Sequence, residues 1–175
     1  MQKIIVVDSD PSWPLLFEEE KVALQRLLPP TVIIEHIGST AVANLAAKPV
    51  IDIMIGVPSL QLADQHYLEL IKSLGYTYVP EYEAQTPDRR YFRKKNDGIA
   101  THHIHLVEHN GPWWKRHIQF RNYLRAHPRA VQEYGDLKKN LAPKFSDTNE
   151  YAKAKTEFIK KIEALAEKQE ESSRT

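Results

Sequence analysis

Cysteine is absent from the 175-residue sequence. That excludes a disulfide framework, thiol catalysis and thiolate zinc sites. Surplus charge is absent too: 24 Lys and Arg stand against 23 Asp and Glu, a formal net charge of +1. No basic excess exists to drive non-specific nucleic-acid binding. No apolar run reaches the ~20 residues of a membrane-spanning helix, and Met1 to Asp8 lacks the long apolar stretch of a signal peptide. Walker, G-x-S-x-G and H-E-x-x-H motifs are all missing. These absences predict a soluble cytoplasmic domain with no membrane partner.

What is present is an ordinary globular balance, 42% hydrophobic and 27% charged, long enough for one real core without staples. Lys3 to Val7 reads as a short strand. Asp10-Pro11 opens a helix carrying Trp13, Leu16, Phe17, Leu24, Leu27 and Leu28, which Pro29-Pro30 stops. Thr31 to Ile37 and Pro49 to Val57 read as strands, with a short helix over Thr40 to Ala47 between them. Leu62 to Leu74 is helical, stopped by Gly75. Arg89 to Lys95 and Ala100 to Glu108 flank Asn96-Asp97-Gly98, a strong hairpin signal.

From Gly111 onward the pattern is helical. One helix is marked by Trp114, Ile118 and Leu124, a second by Val131, Tyr134, Leu137 and Leu141, and a third by Tyr151 to Leu165. Asp147 and Glu150 form a capping box for the third. The expected organisation is an α+β core over 1–110, a C-terminal helical part packed on it over 111–166, and a disordered tail over 167–175.

Three stretches carry chemistry. In His36 to Ile53 a strand ends in Gly38-Ser39 and Asp52 interrupts the apolar run of the next strand. Glycine admits a phosphate close to the backbone, and an acidic residue nearby can hold the metal that accompanies it. A serine N-cap after a glycine turn gives the same spacing, but an unpartnered carboxylate inside an apolar strand is costly. In His102 to His105, alternate residues share a strand face, so His103 and His105 point together, roughly 6–7 Å apart. They can share a metal or a phosphate, or simply bond to neighbours. Arg89 to Lys95 offers cations for a phosphate groove or a charged edge that resists aggregation, and strand parity keeps Arg90 and Arg93 on opposite faces. Trp13, Trp113 and Trp114 read as packing aromatics, and Lys138 and Lys155, beside Tyr134 and Tyr151, as solvated.

These residues resemble the GrpB family of small bacterial proteins, whose fold is similar to that of nucleotidyltransferases. The resemblance runs from Val7 to Ala166 and is densest in EHIGSTAVANLAAKPVIDI, Glu35 to Ile53. DPSW, LGYTY, HHIHLV, FRNYLRAHP, EYGDLK and YAKAK support it. It implies a nucleotidyltransferase-like mixed β-sheet with flanking helices and a C-terminal helical bundle. Nucleotidyltransferases place Gly-Ser at a helix start and, about a dozen residues later, two carboxylates one residue apart that hold metals. Gly38-Ser39 and Asp52 match, whereas the second carboxylate position is Met54.

The expectation is a nucleotide- or phosphate-binding protein, extending to a transferase with an altered metal site. Asp52, His36, His103 and His105 are its catalytic candidates, and Gly38, Ser39, Lys48, Arg90 and Arg93 would bind phosphate. Asp52, His103 and His105 would hold a divalent ion, with manganese or zinc suiting imidazole better than magnesium. The alternative is a non-catalytic accessory module, of the kind fused to dephospho-CoA kinase. If Asp52 serves a ligand, Asp52→Asn is expected to leave the melting temperature unchanged or raised.

Overall fold

The computed structural model describes residues 3–173. A first helix, α1 (Trp13–Gln25), precedes strand β1 (Ile33–Ile37) and strand β2 (Ile51–Val57). Helices α2 (Leu60–His66) and α3 (Leu68–Lys72), the short strand β3 (Thr77–Tyr78) and the hairpin β4 (Arg89–Asn96) and β5 (Ile99–Glu108) follow. The rest is helical: α4 (Pro112–Ala126), α5 (Pro128–Leu141), α6 (Thr148–Ala154) and α7 (Thr156–Ser173). The five strands form one mixed sheet in the order β1-β2-β5-β4-β3, with β2 and β5 parallel and the other pairs antiparallel.

The sheet has two unlike faces. Ile34, Ile51, Ile53, Ile55, Phe92, Ile104 and Leu106 pack under α1, α2 and α3 with Trp13, Phe17, Leu24, Ala63 and Ile71. On the other face Ile37, Met54 and Val107 meet Trp114 of α4. A further cluster joins Val42 and Leu45, from the loop after β1, to Leu124, Val131, Tyr134 and Ile162 of the C-terminal helices. Arg121 of α4 ties the two parts together, donating to Glu35 Oε2 at 2.7 Å and to the His36 carbonyl at 2.8 Å.

Several local expectations change. Of the strand over Lys3 to Val7 only a bridge between Val7 and Ala47 forms. The helix over Thr40 to Ala47 shrinks to a 3-10 turn, Ser39–Ala41. Asn44 takes a left-handed φ of 65°, and Pro49 disfavours helical geometry at Lys48. The helix over 62–74 divides at Tyr67 and the one over 151–165 at Lys155. Asp147 caps α6, accepting from the N–H groups of Asn149 and Glu150, but the Glu150 carboxylate accepts from Lys153 instead of closing the expected capping box. The tail is helical and exposed as far as Ser173, its 174–175 portion lying outside the described residues. Among the described residues no helix is long and apolar enough to cross a membrane.

Candidate functional site

Strand register decides which polar residues meet. Ile37, Asp52, His103 and Arg93 lie opposite one another across four strands, and Glu35, Met54, His105 and Tyr91 form the next row on the same face. Asp52 Oδ1 is therefore 3.4 Å from His103 Nδ1 and 3.2 Å from His105 Nε2. Gly38, with φ of 72°, packs against this carboxylate: a Cβ there would lie 2.7 Å from Asp52 Oδ2. Burial pushes the Asp52 carboxyl up, but hydrogen bonds from His103 and His105 prevail and hold it below the usual carboxylate range.

His105 is held from its far side as well. Arg89 Nη1 lies 3.2 Å from His105 Nδ1, and Arg89 Nη2 donates to Thr86 Oγ1. A guanidinium has no acceptor, so Nδ1 accepts and Nε2–H donates to Asp52. Burial lowers the His105 pKa, consistent with a neutral ring. His105 stacks on Trp113, which stacks in turn on His117. His117 Nδ1 donates to the Trp113 carbonyl at 2.8 Å, and burial pushes its pKa down to about 3.

The second half of the site comes from the C-terminal helices. An open pocket of about 470 Å³ is lined by Gly38, Ser39, Asp52, His103 and His105 at its sheet end, with Trp113 and His117 beside them. Lys48, Lys138, Lys155 and Tyr151 complete the wall. Lys138, 3% exposed, places Nζ 2.7 Å from Ser39 Oγ and 4.4 Å from the centre of the Tyr134 ring. Lys155 and Lys48 lie over the Tyr151 ring at 4.3 and 5.8 Å. Burial and the neighbouring lysines push Lys138 down to about 7 and Lys155 to about 8. Among the described residues none of these three lysines pairs with a carboxylate.

Of the residues singled out in the sequence, Gly38, Ser39, Lys48, Asp52, His103 and His105 converge on this pocket. His36 does not. It pairs with Ile53, on the opposite sheet face, stacks on Phe17 and shares a hydrogen bond with Thr40 Oγ1. Burial lowers its pKa to about 4. Arg90 is also elsewhere, gripped by Asp64 at 2.7 and 2.8 Å and by the Pro87 carbonyl. Arg93 shares the face of His103 but lies outside the pocket wall. Lys138 is buried against Tyr134 and Lys155 half-buried against Tyr151 rather than solvated. Trp113 lines the pocket rather than only packing, and His117, which the sequence did not single out, lines it too.

The donor set does not fit a protein-held metal centre. Among the described residues no three His, Asp or Glu side chains are placed to hold an ion. Both nitrogens of His105 are engaged, and Met54 is fully buried beside Ile37 and Trp114.

A family model described as GrpB protein matches residues 3–165. Glutamate-rich protein GrpB of Alkalihalophilus pseudofirmus is 38% identical over 91% of this chain and 94% of its own length. UPF0157 protein YqkA of Bacillus subtilis is 41% identical over 95% of this chain, which spans only 48% of that relative. The crystal structure of the conserved protein GrpB from Enterococcus faecalis superimposes with a TM-score of 0.83 at 40% identity, covering 94% of this chain and 98% of that one. A dephospho-CoA kinase of Mycobacterium bovis is 29% identical over 76% of this chain, matching 38% of its own length. The likeness to the Cid1 poly(U) polymerase, at 18% identity and a TM-score of 0.48, is too slight to carry an argument.

Proposed function

We propose, from the premise that the chain belongs to the GrpB family, that its pocket binds a phosphate-bearing small molecule, and among these a nucleotide. The observation that carries the reading is charge. Three lysines without carboxylate partners face one carboxylate, Asp52, around the same opening. Gathering one buried and two half-buried lysines without counter-ions is costly, and a polyphosphate supplies the missing negative charge through charge-assisted hydrogen bonds. Lys48, Lys138 and Lys155 would grip phosphate oxygens, while the stacked Trp113 and His117 rings would give an aromatic base an apolar wall to pack against. Asp52, with its oxygens turned by His103 and His105, can accept a hydrogen bond from a sugar hydroxyl.

Calorimetric titration with ATP and pyrophosphate, in a chelator, tests this. Both are expected to bind once per chain, and Lys155→Met to weaken them at least about tenfold. Absence of binding by either would overturn the reading. The second reading, an accessory module that binds without chemistry, is supported by the dephospho-CoA kinase relative, of which the match spans 38%. Under it the same ligands bind and remain unconverted.

A further inference from the structure

We propose that Ser39 is a nucleophile activated by Lys138, and that it takes a phosphoryl group from a phosphoanhydride bound in the pocket. The proposal rests on the phosphate-binding reading and goes beyond it to a covalent step.

Geometry carries it. Ser39 starts the 3-10 turn that follows Gly38, and its side chain lines the pocket. Lys138, 99 positions further along the chain, brings Nζ to 2.7 Å from Ser39 Oγ. That is the nucleophile–base contact of a serine–lysine pair, in which a neutral amine takes the hydroxyl proton. An amine serves as base only when unprotonated, and its surroundings favour that form. Lys138 is almost wholly buried. Lys155 and Lys48 repel its proton, while Asp52 attracts it from β2. The Tyr134 hydroxyl, also set against Ser39, is kept protonated by burial.

In the step, Ser39 Oγ attacks the terminal phosphorus of the anhydride, forming an Oγ–P bond and breaking the P–O bond to the leaving phosphate. The serine proton passes to Lys138 Nζ. The leaving oxygen keeps the electron pair and departs as an anion, countered by Lys48 and Lys155. The product is phosphoserine.

A fluorophosphonate probe reports the same attack, with fluoride as the leaving group. Intact-mass and peptide spectra are expected to place one adduct on Ser39, with pyrophosphate protecting against it. Ser39→Ala is expected to abolish labelling. Lys138→Arg, whose guanidinium keeps the charge but does not give up its proton near neutral pH, is expected to slow labelling about a hundredfold or more. Thermal melts establish that the variants are folded. Should either fail to fold, the labelling rate of the unaltered protein against pH decides, since the base assignment requires a rise with its midpoint near 7. No adduct at Ser39, labelling undiminished in Lys138→Arg, or a rate independent of pH between 5 and 9 would each overturn the proposal. Pyrophosphate binding without labelling would remove the nucleophile and leave the phosphate-binding reading standing. Labelling without pyrophosphate binding would leave Ser39 a reactive serine and overturn both the phosphate-binding reading and the phosphoryl transfer that rests on it.

Discussion

Arg89 Nη1 stands 3.2 Å from His105 Nδ1, and this pair fixes which nitrogen of His105 carries the proton. Because Arg89 can only donate, His105 presents Nε2–H to Asp52, 3.2 Å away. The carboxylate is thus oriented by a neutral ring. Replacing Arg89 with Met removes a cation that disfavours protonation of His105 and frees Nδ1. The His105 pKa is expected to rise by about one unit, read from ring resonances in an NMR titration. An unchanged titration would show that Arg89 does not govern this histidine.

Asp52 is better supported than its place in an apolar strand suggested. Two imidazoles within 3.4 Å make Asp52→Asn a loss rather than the neutral or stabilising change expected from the sequence. With its side chain 28% exposed, solvent discounts the effect to about 1–2 kcal/mol. The folded-state pKa is depressed, so the carboxylate's contribution is present above its ordinary value of 3.8 and fades as pH falls below that value toward the folded one. Urea unfolding of both proteins at pH 7 should show the difference, and at pH 3 a smaller one.

Lys138 behaves in the opposite sense. Burial lowers its folded-state pKa to about 7 from 10.5, so the unfolded chain binds more protons between those values and stability climbs with pH across that window. Lys138→Met removes this penalty, which is largest at and below pH 7, at the cost of about 1 kcal/mol for the bond to Ser39. A net gain of about 1–3 kcal/mol at pH 6 is expected, shrinking toward pH 10. A destabilised variant at pH 6 would mean that the Lys138 charge is compensated in the native protein.

Gly38 sits where a side chain has no room. Its left-handed φ and the 2.7 Å approach of Asp52 Oδ2 to a built Cβ predict that Gly38→Ala loses about 1–3 kcal/mol. Thermal or urea unfolding measures it. A melting curve matching that of the unaltered protein would mean the turn is free to rearrange.

Where the sequence was legible, local rules and strand parity were enough. The Asn96-Asp97-Gly98 turn falls between β4 and β5, with positive φ at Asp97 and Gly98. Parity set His103 and His105 on one face, with Ile104 and Leu106 in the core on the other. Parity alone says nothing of which face another strand turns the same way, and that is where His36 went astray: the register sets Ile37, not His36, opposite Asp52. Lys138 and Lys155 reach the site through helix packing over a long sequence separation, which periodicity does not encode. One signal was available. Lys138 follows Val131 by seven positions and Tyr134 by four, on the same buried stripe of α5.

Anion binding should be proton-linked. Lys138 and Lys155, lowered to about 7 and 8, lose charge as pH rises through those values. Pyrophosphate affinity is therefore expected to fall at least about tenfold between pH 6 and 9. Titrations at constant ionic strength in buffers of different ionisation enthalpy should show proton uptake on binding near pH 8. Affinity that rises with pH would place the anion elsewhere.

The most direct measurement is a crystal structure of the protein soaked with ATP in a chelator. Phosphate oxygens are expected within hydrogen-bond distance of Nζ of Lys48, Lys138 and Lys155, next to the Ser39 turn. Density for the nucleotide away from these lysines, or none at concentrations that saturate binding in solution, would contradict the assignment of this pocket.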